Sequence, residues 1–225
     1  HFEQYPRSES TSSIQQQALL QSFRPRLFVS SEAEGPISFY QDYIAQGSLT
    51  DASGRLLSDQ VSSALLNQYK NNSRVVFRHQ ARAQTPTPTA MATISYDQHP
   101  SLGRLTFLSY HFVFRHSGIV AALPYWQEKL LPLLGDLNDW HQLDHYTAAT
   151  VVLNDSDKAI ALILQQHNNE RSYIFGVDMD ASEDQRPKLI SARRSNELYP
   201  WHPGTQHHRV VRFLSADSLP YLVSG

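Results

Sequence analysis

Arg104-Leu105-Thr106-Phe107-Leu108-Ser109-Tyr110-His111-Phe112-Val113-Phe114-Arg115 reads as one long β-strand. Leu105, Phe107, Ser109, His111 and Val113 alternate with Thr106, Leu108, Tyr110, Phe112 and Phe114, the period of two that the opposite faces of a strand produce. Both series are largely apolar, so the strand is expected at the centre of a sandwich, with packing against each face.

Toward the C-terminus, Ala121–Leu134 has helical spacing interrupted by Pro124 and Pro132, which reads as a helical insertion. Strands are then predicted at Trp140–Leu153, Ala159–Gln166, Arg171–Val177, Lys188–Ala192 and His208–Leu214. Asn154-Asp155-Ser156-Asp157 has the composition of a hairpin connection between the first two. Toward the N-terminus, Ala83–Thr89 (AQTPTPT) is a Pro/Thr loop that a central strand would not tolerate. Val75, Phe77 and His79 share one face of a strand that starts after Arg74.

Before Arg74 the pattern turns helical. Ser12 or Ser13 caps a short helix over Ile14, Ala18, Leu19 and Phe23. Arg26–Ser30 is a first strand. Pro36 opens a helix over Ile37–Ala45, with Gly47 placed to close it, and a further helix runs from a Ser58 cap through Val61, Leu65 and Leu66 to Tyr69. The expected fold is mostly β: an antiparallel β-sandwich with short N-terminal helices and one helical insertion. It forms a single domain, 1–225, whose helical N-terminal part covers 1–71 and whose sandwich covers 72–225.

Composition sets the outer bounds. The chain has 225 residues, 40% of them hydrophobic, enough for a substantial core. A formal charge of −2 argues against a general nucleic-acid binder, which needs a basic stripe to neutralise phosphates. No apolar run reaches the ~20 residues of a transmembrane helix. The absence of cysteine excludes disulfides, thiolate metal ligands and cysteine nucleophiles. Together with a start at His1, it leads us to expect a mature exported protein, periplasmic or secreted, after removal of a signal segment.

Three segments concentrate chemistry-bearing side chains. The densest runs through Asp136, Asp139, Trp140, His141, Gln142, Asp144 and His145. On a strand His141 and His145 share a face, so with a third ligand from His111, His116 or His167 they could hold a divalent metal, Asp139 adding a carboxylate. The same histidines read equally as hydrogen-bonded residues on a half-exposed sheet. The second segment is Ser191–Gly204. There Arg193 and Arg194 can clamp an anion or pair with Glu197, while Pro200, Pro203 and Gly204 fix a loop around Trp201 and His202. The third, Asp178, Asp180, Glu183 and Asp184, lacks the glycine-containing loop of an EF-hand and reads as a solvated hairpin tip. His207 and His208 diverge on a strand and read as surface. There is no GxSxG elbow and no glycine-rich phosphate loop.

Several short motifs follow a familiar order. Phe23-Arg24-Pro25-Arg26-Leu27-Phe28, then Pro36-Ile37-Ser38-Phe39-Tyr40 and Gly47-Ser48-Leu49, are followed by Tyr110–Phe114, Asp139-Trp140-His141 and Ser191–Asn196. This succession resembles proteins related to vacuolar protein sorting-associated protein 62 and, more distantly, the necrosis-inducing toxin family, whose His-Asp-Trp-Glu element is associated with a divalent cation. His141 stands where that element has Glu, and Asn196 stands where the former proteins have His. The resemblance implies a β-sandwich, and Asp139 and His141 are the positions it would carry toward a cation.

The function expected from the sequence is an exported binding or interaction module rather than an enzyme. Its ligand, small and polar or anionic, or a protein partner, would meet Trp140, His141, Arg193, Arg194, Glu197, Trp201 and His202. The alternatives are a metal-dependent hydrolase using the His/Asp cluster and a membrane-acting toxin-like protein. No cofactor beyond a divalent metal is expected.

Overall fold

A computed structural model describes residues 13–30, 35–79, 88–114, 145–166, 169–179, 185–192, 195–201, 216–219 and 222–224. In chain order its elements are α1 (Ser13–Ser22), β1 (Arg26–Ser30), a π-helical turn (Phe39–Ile44), β2 (Gly47–Asp51), β3 (Leu56–Ser58), α2 (Ser63–Tyr69), β4 (Val75–His79), β5 (Thr89–His99) and β6 (Gly103–Phe114). They continue with β7 (His145–Leu153), β8 (Ala159–Gln166), β9 (Asn169–Ile174), β10 (Lys188–Ser191), β11 (Leu198–Pro200), β12 (Ala216–Leu219) and β13 (Leu222–Ser224). The expected helical insertion at 121–134 and the strand expected at 208–214 lie outside the described residues.

The fold is mostly β and sandwich-like. Among the described residues the strands form a six-stranded sheet in the order β13-β5-β6-β7-β8-β9, a four-stranded sheet β11-β10-β1-β12, and a three-stranded sheet β3-β2-β4. Pairing is antiparallel throughout except for β1 with β10 and β13 with β5. The long strand read first from the sequence is β6, interior in the largest sheet and paired with β5 on one side and β7 on the other.

Its two faces part company. Leu108, Tyr110, Phe112 and Phe114 are fully buried, whereas Phe107, Ser109 and His111 are half-buried. The buried face meets Leu162 and Leu164 of β8 and Ala149, Val151 and Leu153 of β7. From the four-stranded sheet come Leu27, Val29, Leu189 and Leu198, and α1 adds Leu20 with Phe23 just beyond it. Each fully buried leucine or phenylalanine here removes enough apolar surface from water to contribute about 1.5–3 kcal/mol. This seam between the two sheets is the main core. A second core lies under the three-stranded sheet, where Ile44, Leu49 and Val61 pack with Phe39, Tyr43, Leu65, Tyr69 and Phe77.

Several boundaries differ from the sequence reading for local reasons. Ile37 does not start a helix. Its N–H donates to Val113 O at 2.7 Å, as an isolated bridge to β6. The turn begins after Ser38, whose hydroxyl accepts from Gln41 N while Asp42 Oδ2 accepts from Ser38 N at 2.8 Å, a reciprocal cap. Gly47 opens β2 instead of closing a helix. Ser58 ends β3, and the cap of α2 is Ser62, whose hydroxyl accepts from Leu65 N. The strand expected to run to Val177 stops at Ile174, because Asp178 Oδ2 accepts from Ile174 N and Gly176 takes a positive φ of 81°. The pairing of β2 with β4 crosses the 71/72 line, and residues before it supply three strands beside the helices.

Candidate functional site

The four-stranded sheet ends at one side in the hairpin β10–β11, and this hairpin gathers the densest set of buried polar groups among the described residues. Ser191, Ser195, Asn196 and Glu197 are all buried. The turn closes through Asn196 N–H to Ala192 O at 3.0 Å and Ala192 N–H to Glu197 O at 2.8 Å. Asn196 sits in the left-handed region, φ 56°, a conformation that asparagine tolerates better than most side chains.

The polar side chains of the hairpin other than Ser195 are held by hydrogen bonds. Ser191 Oγ donates to Asn196 Oδ1 at 3.4 Å. The Tyr199 hydroxyl donates to Glu197 Oε2 at 2.8 Å. Burial first, then the hydrogen bond and charge of Glu197, push the Tyr199 phenol well above its ordinary range. Tyr199 therefore stays a proton donor, and the pair presents a carboxylate held by a neutral phenol. Ser195, at 1% exposure, finds no hydrogen-bond partner for Oγ among the described residues. A buried hydroxyl left this way costs roughly 1–3 kcal/mol unless something else satisfies it.

The hairpin is tied to the larger sheet. Gln166, the last residue of β8, donates through Nε2 to Leu198 O at 2.8 Å. The site thus lies where β11, an edge strand of one sheet, meets β8 and β9 of the other.

Of the residues expected at the site, Glu197 belongs to this cluster. Trp201 lies one residue past β11, on the face of the four-stranded sheet that Tyr199 shares with Ile190. There it stacks on Phe28 with ring centroids 4.4 Å apart and planes at 10°, with Lys188 Nζ 5.5 Å from its ring. The indole is thus an anchor for β1, β10 and β11. Trp140, His141, Arg193, Arg194 and His202 lie outside the described residues, as do Asp139 and His167 of the expected metal set.

His111 and His145 remain of that set, and the sheet register separates them. It pairs Phe114 with His145 and His111 with Ala148. Cross-strand partners share a face and successive residues alternate, so position 145 falls on the face of Phe114 and His111 on the opposite one. Burial lowers the His111 pKa, and its Nε2 lies 3.2 Å from Thr93 Oγ1. Among the described residues no three His, Asp or Glu side chains converge as metal ligands. Ser195, Asn196 and Tyr199 fall within the segment Ser191–Gly204 singled out in the sequence, which gives none of them an individual role. They occupy the turn that leads into β11 and that strand itself, and their burial is set by tertiary packing.

No family model matches the chain, and no curated protein matches it. Three solved structures have a similar overall course. One is described as a toxin fold for microbial attack and plant defense, with 13% identity, 88% of this chain and 72% of that one covered, and a TM-score of 0.47. A second is NLPPya in complex with glucosamine, at 14% identity, 88% and 72% coverage, and a TM-score of 0.43. The third is necrosis and ethylene inducing protein 2 from the causal agent of cocoa's witches' broom disease, at 14% identity, 98% and 76% coverage, and a TM-score of 0.39. The fold assignment rests on the strand pairing of this chain itself, and the resemblance to proteins related to vacuolar protein sorting-associated protein 62 gains no support from these neighbours.

Proposed function

We propose that this chain is an exported, non-catalytic binding module whose β-sandwich holds a small polar ligand at the β10–β11 hairpin. The observation that supports the reading is the Ser195 hydroxyl, buried in a turn beside a buried carboxylate and without a hydrogen-bond partner among the described residues. A ligand hydroxyl or amine reaching that turn would satisfy Ser195 and recover the desolvation cost, which makes the site selective for polar over apolar molecules. The hairpin suits this task because it is braced on both sides, by Gln166 from β8 and by the Tyr199–Glu197 pair.

Nuclear magnetic resonance titration with a panel of small polyols, amines and carboxylates tests the reading. Binding should move the amides of Ser195 to Tyr199 first, and Ser195→Ala should weaken it about tenfold, the effect of losing one well-placed hydrogen bond. A panel that leaves those amides unmoved at millimolar concentration overturns it, as does a ligand bound equally well by Ser195→Ala. Cell fractionation of the natural source tests export separately, and a cytosolic location would remove that part.

A further inference from the structure

At the other end of the six-stranded sheet, β5 and β6 are joined by His99-Pro100-Ser101-Leu102-Gly103, and a side chain closes this turn. His99 Nδ1 lies 3.2 Å from Ser101 N and 3.2 Å from Leu102 N. Both partners are backbone N–H donors, so Nδ1 can only accept, and the ring must carry its single proton on Nε2. Gly103, opposite His99 in the register, completes the reversal with φ +74°.

We infer that the β5–β6 tip is a proton-sensitive turn, closed while His99 Nδ1 is bare and opened when the imidazole takes up a proton. A protonated Nδ1 becomes a donor and faces two other donors, so both contacts are lost together. Several charged groups surround the turn. Asp97 on β5 accepts from Gln98 N, and Asp155 of the β7–β8 hairpin stands where a side chain at Gly103 would meet its carboxylate. Arg104 on β6 lies 3.9 Å from Asp157 and over the Tyr96 ring, and Lys158 completes the charged groups of that hairpin. Asp97, Asp155 and Asp157, with Arg104 and Lys158, are the charged groups that the neighbouring strands and hairpin bring to this end of the sheet. Opening the turn frees two backbone N–H groups beside Leu102, which is already 52% exposed. The sheet end then offers donors and an apolar side chain that the closed turn does not.

The test compares the intact chain with His99→Asn by magnetic resonance from about pH 8 to about pH 5. Asparagine supplies a side-chain oxygen acceptor that does not titrate in this range and caps turns of this kind. In the unmodified protein, water-exchange rates of the Ser101 and Leu102 amides, corrected for intrinsic pH dependence, should rise together about threefold or more as the His99 ring titrates. In His99→Asn the corrected rates should stay flat. Flat rates in the unmodified protein overturn the inference, and so does an equal rise in the variant.

Discussion

The buried pair Glu197 and Tyr199 shows how one side chain decides the cost of another. Glu197 is 5% exposed, and its carboxylate keeps a phenol donor at 2.8 Å. Tyr199→Phe removes that donor while preserving the ring, so the loss reads the contacts of the hydroxyl. A bond to a charged acceptor is worth about 1.5–3 kcal/mol, and urea unfolding should show a decrease of that size. A change below about 0.5 kcal/mol would mean the carboxylate does not depend on Tyr199. Ser195→Ala is the converse case. With no protein partner for Oγ among the described residues, truncation should leave the ligand-free stability within about 0.5 kcal/mol of the unmodified protein, or raise it. A loss beyond 1 kcal/mol in the same unfolding measurement would show that the hydroxyl has a structural bond and would weaken its claim to a ligand.

Among the elements, the three-stranded sheet is the most sensitive to a single atom. A Cβ on Gly47 would run into the Phe77 ring, which packs across that position from β4. Gly47→Ala should therefore destabilise by about 1–3 kcal/mol through overpacking, and adding Phe77→Leu should restore part of the loss. Denaturation of both variants checks this, and additive losses would contradict the contact. The same sheet marks where sequence reading stops. Strands β1, β4, β6 and β8 were legible because their apolar residues come at strand spacing within one short run. β5 was passed over because Thr93, Ser95, Asp97 and Gln98 occupy its exposed half. β2 and β3 were hidden because their partners lie across a turn at Asp51, whose carboxylate accepts from Ser53 and Arg55 and is held below its ordinary pKa chiefly by the Ser53 hydroxyl. No local period reports such a pairing. At the candidate site, Glu197 was legible from its place in a crowded loop. Ser195 was not, since only tertiary burial distinguishes an orphaned hydroxyl from an ordinary surface serine.

For the whole molecule, the sandwich's outer face couples stability to pH through His111. Its ring lies on the half-buried face of β6, and burial lowers its pKa from the ordinary value of 6.5. The fold thus prefers the neutral ring, while the unfolded chain takes up a proton near 6.5. Below that pH the unfolded state binds more protons than the native state, and the sign of linkage makes stability fall as pH falls. The contribution is fully present above 6.5 and is lost progressively as pH drops through the lower native value. His111→Gln retains a polar partner for Thr93, 3.2 Å from the ring nitrogen in the native chain, but does not titrate. Urea midpoints taken between about pH 8 and about pH 5 should drop less steeply in the variant than in the unmodified protein, with the two curves parallel above about pH 7. The other histidines are the same in both proteins and cancel from the difference. Identical slopes on the acid side would show that the fold does not discriminate between the two forms of His111, and that the outer face of the central strand is as open to water as the unfolded chain.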